Sequence, residues 1–187
     1  MKTLALLAAL LISGCAAFPG TPGHISENIS EFDNARELSM LPAWTTGGQI
    51  RLGLYWSSRM PVNEIVLVSM IHDLAYIPAN APLKLNIDGE IVSLPALPET
   101  AKYSITPGAV IGKTLIPPKN WTSRRYLATV PLVRKMISAQ RVIVRMEIGS
   151  SEYVEGNFSS DAPTTARNPF REFLVQLEQT TNNKSPQ

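Results

Sequence analysis

This chain of 187 residues is short of the groups that most chemistry uses. It holds one cysteine, Cys15, and two histidines, His24 and His72. A single thiol excludes an internal disulfide framework, so stability must come from burial and backbone pairing. The usual nitrogen and sulfur ligands of zinc are too few, and the carboxylates that would have to replace them do not cluster. No serine sits in Gly-x-Ser-x-Gly, which leaves out the nucleophile elbow of hydrolases. The glycines show no phosphate-cradling spacing. Charge is sparse and balanced, 17 basic against 15 acidic residues, for a formal net charge of +2. The densest basic spots are Arg124-Arg125 and Arg134-Lys135, too short to track a phosphate backbone, so no nucleic-acid partner is expected. The longest apolar run, Leu4 to Ile12, falls short of a membrane span.

That run is itself the strongest positive signal. Lys2 gives a positive start, Leu4 to Ile12 an apolar core, and Ile12-Ser13-Gly14-Cys15 follows. The length suits a signal-peptide core. The ending resembles the lipobox of bacterial lipoproteins, and Cys15 is the chain's only cysteine. The resemblance implies a diacylglyceryl group on the Cys15 thiol, cleavage before it, and acylation of the new amino group. Ala16 stands after the cysteine where aspartate would signal inner-membrane retention, which implies transport to the outer membrane, facing the periplasm or the cell surface. The covalent lipid on Cys15 is the only cofactor expected. One acyl chain holds weakly and two or more hold stably, at about 0.8 kcal/mol per buried methylene.

The expected organisation follows from composition. Residues 1–14 read as signal peptide and 15–30 as the lipidated cysteine and a flexible tether, rich in proline and glycine from Pro19 to Gly23. Residues 31–179 read as a β-rich globular domain and 180–187 as a polar, frayed tail. Within the domain, Ile50, Leu52, Leu54 and Trp56 alternate with Arg51 and Tyr55, the period of a half-buried strand. Ile65 to Ile71 is apolar on both faces, which predicts a central strand. Leu83, Leu85 and Ile87 alternate toward Asp88-Gly89, a tight hairpin signal, and Glu90 to Leu94 returns. Val142 to Ile148 and Glu152 to Phe158 read as a second hairpin about Gly149-Ser150-Ser151.

Two helices are expected among the strands. Pro131 can start the first, burying Leu132, Val133, Met136 and Ile137. Asn168 and Pro169 suit the cap and first position of the second, whose Phe170, Phe173, Leu174 and Leu177 form one stripe. That stripe must dock, and the sheet just before it is the economical place, closing the domain at its C-terminus. The fold class expected is mainly β with two helices: a single sandwich-like antiparallel domain closed by a C-terminal amphipathic helix.

Candidate functional residues are few. His72 beside Asp73 offers half of a proton relay, although a strand-end histidine bonded to backbone is the simpler reading. Glu147, Glu152 and Glu155 share one hairpin, but their alternation points them to a solvated face rather than a glycosidase pair. Trp121, Arg124, Arg125 and Tyr126 lie in what reads as the longest polar connection. Exposed aromatic and arginine side chains there would serve as partner contacts. The reading that follows is a lipid-anchored envelope protein with a non-catalytic binding or scaffolding role, a membrane partner through its anchor and an envelope protein as a further partner. The alternatives are an accessory subunit of a secretion or pilus machine, and a small periplasmic hydrolase using His72 and Asp73. The C-terminal order of helix, strand, hairpin and helix resembles small proteobacterial lipoproteins of no named family.

Overall fold

Alternation of apolar and polar side chains has become strand structure: among the described residues the chain is mainly β, with 49% in strands. The computed structural model describes residues 21–182 except 73, 74, 100, 107, 108, 112, 113, 117, 118, 150 and 163. Cys15, Asp73 and residues 183–187 therefore lie outside the described residues. Six antiparallel strands form one sheet that curls into a half-barrel. In spatial order they are β1 (Ile25–Ile29), β2 (Arg36–Trp44), β3 (Ile50–Ser57), β4 (Glu64–His72), β10 (Lys119–Thr129) and β7 (Lys102–Thr106). A second sheet has four: β12 (Glu152–Asn157), β11 (Val142–Ile148), β5 (Leu83–Ile87) and β6 (Glu90–Leu94). A small hairpin, β8 (Ala109–Ile111) with β9 (Thr114–Ile116), connects β7 to β10.

The two sheets share one core. Leu38, Leu52, Leu54, Ile65 and Leu67 from the six-stranded sheet are buried with Leu83, Leu85, Val142, Val144 and Met146 from the four-stranded one. Burying such a side chain stabilises by about 1.5–3 kcal/mol. Asp88 and Gly89 take φ of 50° and 96°, the left-handed conformation that a two-residue hairpin demands. The β4 strand is central, flanked by β3 and β10, as its doubly apolar sequence requires.

Helix α1 (Val130–Ser138) follows β10 directly. The Thr129 hydroxyl caps it, accepting from the Leu132 amide. Val133 and Met136 are buried, while Leu132 and Ile137 are half-buried against the core. Helix α2 (Arg167–Asn182) buries the predicted stripe of Phe170, Phe173, Leu174 and Leu177. It begins one residue before Asn168, so Asn168 is helical and not its cap. The helix lies against β2, β3 and α1, and touches the preceding hairpin through Phe170, whose ring is 5.0 Å from that of Phe158. Its docking partner is thus mainly the six-stranded sheet.

Three stretches depart from the sequence reading. The expected tether, 15–30, contains β1, which pairs with β2 from Ile25↔Met40 to Ile29↔Arg36. The strand is largely exposed, so backbone pairing and not apolar burial orders it. The chain is fixed even earlier: the Gly23 amide donates to the Leu41 carbonyl. At Gly23, a Cβ would come within 2.6 Å of Pro169. The expected tail, 180–187, is helical as far as Asn182; Thr180 is buried and its carbonyl accepts from Arg36. The supposed connection around Trp121 is the eleven-residue strand β10.

Candidate functional site

Trp44 is the last residue of β2, and Arg51 stands opposite it on β3. Arg51 also faces Met70 of β4, and two residues further along β4 His72 faces Trp121 of β10. Four strands thus deliver Trp44, Arg51, His72 and Trp121 to one end of one face, the face turned away from the core. The two indoles meet with ring centres 5.8 Å apart and planes tilted by 59°, and the Arg51 guanidinium sits against both, 3.8 Å from the Trp44 ring centre and 4.1 Å from that of Trp121. The His72 ring meets Trp121 edge-on at 5.2 Å. Trp121 is buried, Trp44 and Arg51 are half-buried, and His72 is exposed.

The chemistry this cluster offers is a positive charge stacked on aromatic rings. Burial lowers the Arg51 pKa from its ordinary value, but a guanidinium stays charged at any physiological pH. Each cation–π contact is worth about 0.5–2 kcal/mol, depending on how far water is excluded. The Arg51 Nε is buried without a hydrogen-bond partner. Stacking on the two indoles holds this cation in place, where an ion pair would commonly do so.

The predicted contact residues do not share a surface. Successive side chains of a strand point to opposite faces, so β10 sends Trp121 and Arg125 outward and Arg124 and Tyr126 inward. Arg125 is half-buried, bonds Glu99 and lies 5.3 Å from the Tyr55 ring. Arg124 is buried between the sheets, and its Nη2 donates to the carbonyls of Ala79 and Leu97. Neither Arg124 nor Tyr126 can touch a partner. Of the four, only Trp121 joins the cluster. Pairing across β2 and β3 adds Trp44 and Arg51, which sequence reasoning missed because the β2 period is broken by a bulge between Met40 and Ala43.

Tyr126 carries a pH prediction. Its phenol is fully buried, its oxygen has no hydrogen-bond partner, and the nearby Ser69 hydroxyl donates instead to the Met146 sulfur. Burial pushes its pKa up to about 12, against about 10 in the unfolded chain. The folded state keeps a proton that the unfolded chain gives up as pH rises from about 10 to about 12, so stability falls across that window. Below about pH 10 the contribution is fully present; by about pH 12, roughly 2–3 kcal/mol is lost. In urea unfolding, Tyr126→Phe should equal or exceed the parent near neutrality, since it removes an unpaired buried hydroxyl. It should also lack this alkaline limb. Parallel stability curves for the two proteins between about pH 8 and about pH 12 would refute the assignment.

The other sequence candidates lie apart. His72 is at the exposed end of β4, against Trp121, and Asp73 lies outside the described residues. Glu147 bonds Lys84 at 2.7 Å and Glu155 bonds Arg145 at 2.7 Å, each on the solvated face of the four-stranded sheet. These carboxylates are matched to cations and do not face one another as an acid–base pair. Two grooves lie on that sheet. One, of ≈400 Å³, runs past Lys84, Asn86, Ile91 and Arg145. The other, of ≈560 Å³, runs past Arg141, Asn157 and Asp161. Neither lining includes a residue of the Arg51 cluster. Among the described residues, no group of three or more His, Cys, Asp or Glu side chains is placed to hold a metal ion, and no helix is long and apolar enough to cross a membrane. No family model, curated protein or solved structure matches this chain.

Proposed function

We propose that this protein is a lipid-anchored envelope protein whose folded domain binds or scaffolds and does not catalyse. The observation that carries the binding half is the Arg51 contact: a permanent cation set against both Trp44 and Trp121, 3.8 and 4.1 Å from their ring centres. Such a group recognises by stacking and N–H donation, and it neither takes nor gives a proton near neutrality. Tryptophan and arginine are also the side chains that dominate contact energies at interfaces. The anchoring half rests on Lys2, the apolar run to Ile12 and the Ser13-Gly14-Cys15 ending, which together resemble a lipoprotein signal.

The anchor is tested by Cys15→Ala. The substitution should abolish incorporation of labelled palmitate and leave residues 1–14 uncleaved. Labelling of the variant equal to that of the parent would refute the anchor. The binding role is tested by Arg51→Met in co-purification from detergent extracts. Envelope proteins retained by the parent should be lost, because the methionine keeps the bulk but not the cation. Retention unchanged by the substitution would remove the cluster from the binding surface. A scaffold built into a larger envelope machine would show itself in the same experiment as a fixed set of retained subunits.

A further inference from the structure

We propose that the end of the domain where the chain enters, at which β2 and β4 finish and β10 starts, lies against the lipid bilayer, so that the domain is seated on the membrane and not held off it. The inference rests on the lipid-anchor reading and deepens it. The first observation is where the chain enters. From Cys15 to Gly23, already bonded to Leu41, there are eight residue steps. They span at most about 28 Å fully extended. The entry point lies at the end of the six-stranded sheet where β2 and β4 finish and β10 starts. An acyl anchor on Cys15 therefore brings this end of the domain to the lipid.

The second observation is what this end exposes. Leu41, Tyr76, Tyr103, Ile105 and Tyr153 are large apolar side chains left 40–66% exposed. Leu41 is beside the chain entry, and Tyr103 and Ile105 stand opposite Thr122 and Asn120 at the start of β10. The Tyr76 carbonyl accepts from Gly149, just past the end of β11, and Tyr153 pairs with Glu147 two residues before it. Tyrosine and tryptophan, with an apolar body and a polar tip, are the side chains that favour a membrane–water boundary. The β8–β9 hairpin leaves from the same end, between Thr106 and Lys119. Its two strands pair only with each other among the described residues, and its sequence, Ala109-Val110-Ile111 and Thr114-Leu115-Ile116, is apolar. Lys119, the first residue of β10, is exposed, a cation suited to lipid phosphates.

The opposite end supplies the internal control. Apolar exposure occurs at both ends: Phe32, in the β1–β2 turn, and Val62, between β3 and β4, are the most exposed and lie at the far end of the strands from Trp44, so it is the chain entry that singles out the Trp44 end. Once Cys15 is acylated the chain has no free thiol, so a single introduced cysteine can be labelled alone. Full-length acylated protein carrying Ile105→Cys, Tyr103→Cys or Phe32→Cys, each with a polarity-sensitive fluorophore, is reconstituted into phosphatidylethanolamine–phosphatidylglycerol vesicles and floated. The labels at 105 and 103 should shift to the blue and become about threefold less accessible to aqueous iodide, as expected for groups at the headgroup boundary. The label at 32 should behave as in water. Protein that floats with all three labels equally accessible overturns the inference and leaves the anchor standing. A chain that carries no acyl group by mass and does not float overturns both. Protection at 103 and 105 that grows with protein concentration without vesicles assigns this end to a second copy and overturns the bilayer as its occupant.

Discussion

Replacing Phe173 by alanine should cost about 3–5 kcal/mol of folding stability, the range measured when a buried aromatic ring is truncated. Phe173 is fully buried in the stripe by which α2 closes the core, beside Phe170 and Leu177. Helix α2 packs against β2, β3 and α1, and the Phe173 ring belongs to the one core cluster they share. They cannot close the cavity it would leave without breaking strand pairing, which places the cost toward the upper part of the range. A domain of this length is stable by about 5–15 kcal/mol, so the loss is a large fraction of the total. The midpoint of thermal unfolding should drop by roughly 10 °C, while the slope of the urea transition stays the same because the surface exposed on unfolding barely changes. The outcome separates two roles of the helix. A melting curve unmoved by Phe173→Ala would mean that α2 is not docked in solution and presents its stripe to a partner.

The helix stripe was legible in the sequence because it is local. Phe170, Phe173, Leu174 and Leu177 announce one face within two turns, and nothing distant has to be known to read it. The same holds for β3, β5, β6, β11 and β12, where alternation and turn chemistry agree, as at Asp88-Gly89. Strand β10 was illegible for a physical reason. Its inward side chains are Thr122, Arg124, Tyr126 and Ala128, so the buried face looks polar. The carbonyls of Ala79 and Leu97, which satisfy part of Arg124, come from a different part of the chain. Strand β1 was illegible because it is largely exposed and owes its order to pairing with β2; propensity says little about such an edge. Half of the Arg51 cluster followed from these losses. Trp121 was noticed, but the β2 bulge and the hidden strand β10 concealed that Trp44 and Arg51 stand against it.

Arg167 makes the other large prediction, and it concerns the join between the helices. Its side chain is buried at the start of α2. Nη1 donates to the Phe158 carbonyl at 3.1 Å, and Nη2 donates to the carbonyls of Ile137 and Ala139, the latter at 2.7 Å. Ile137 and Ala139 close α1, where the last carbonyls have no partner within the helix and carry the negative end of its dipole. One guanidinium therefore ties the end of α1, the end of β12 and the start of α2 together. Burial lowers its pKa, with Arg171 adding a smaller push in the same direction, but the group stays charged. Arg167→Met fills much of the same volume and removes every one of these bonds. Three carbonyls then lose a charged donor in a place water reaches poorly, at about 1–3 kcal/mol for each acceptor left unmet. Partial relaxation of the α1 end should hold the total near 3–5 kcal/mol, and amide exchange should speed up first in the last turn of α1. Arg167→Lys should recover only part of the loss, because an ammonium lacks the planar fork that reaches two sites at once. Equal stability of the lysine variant and the parent would show that charge alone, and not the forked geometry, joins the helices.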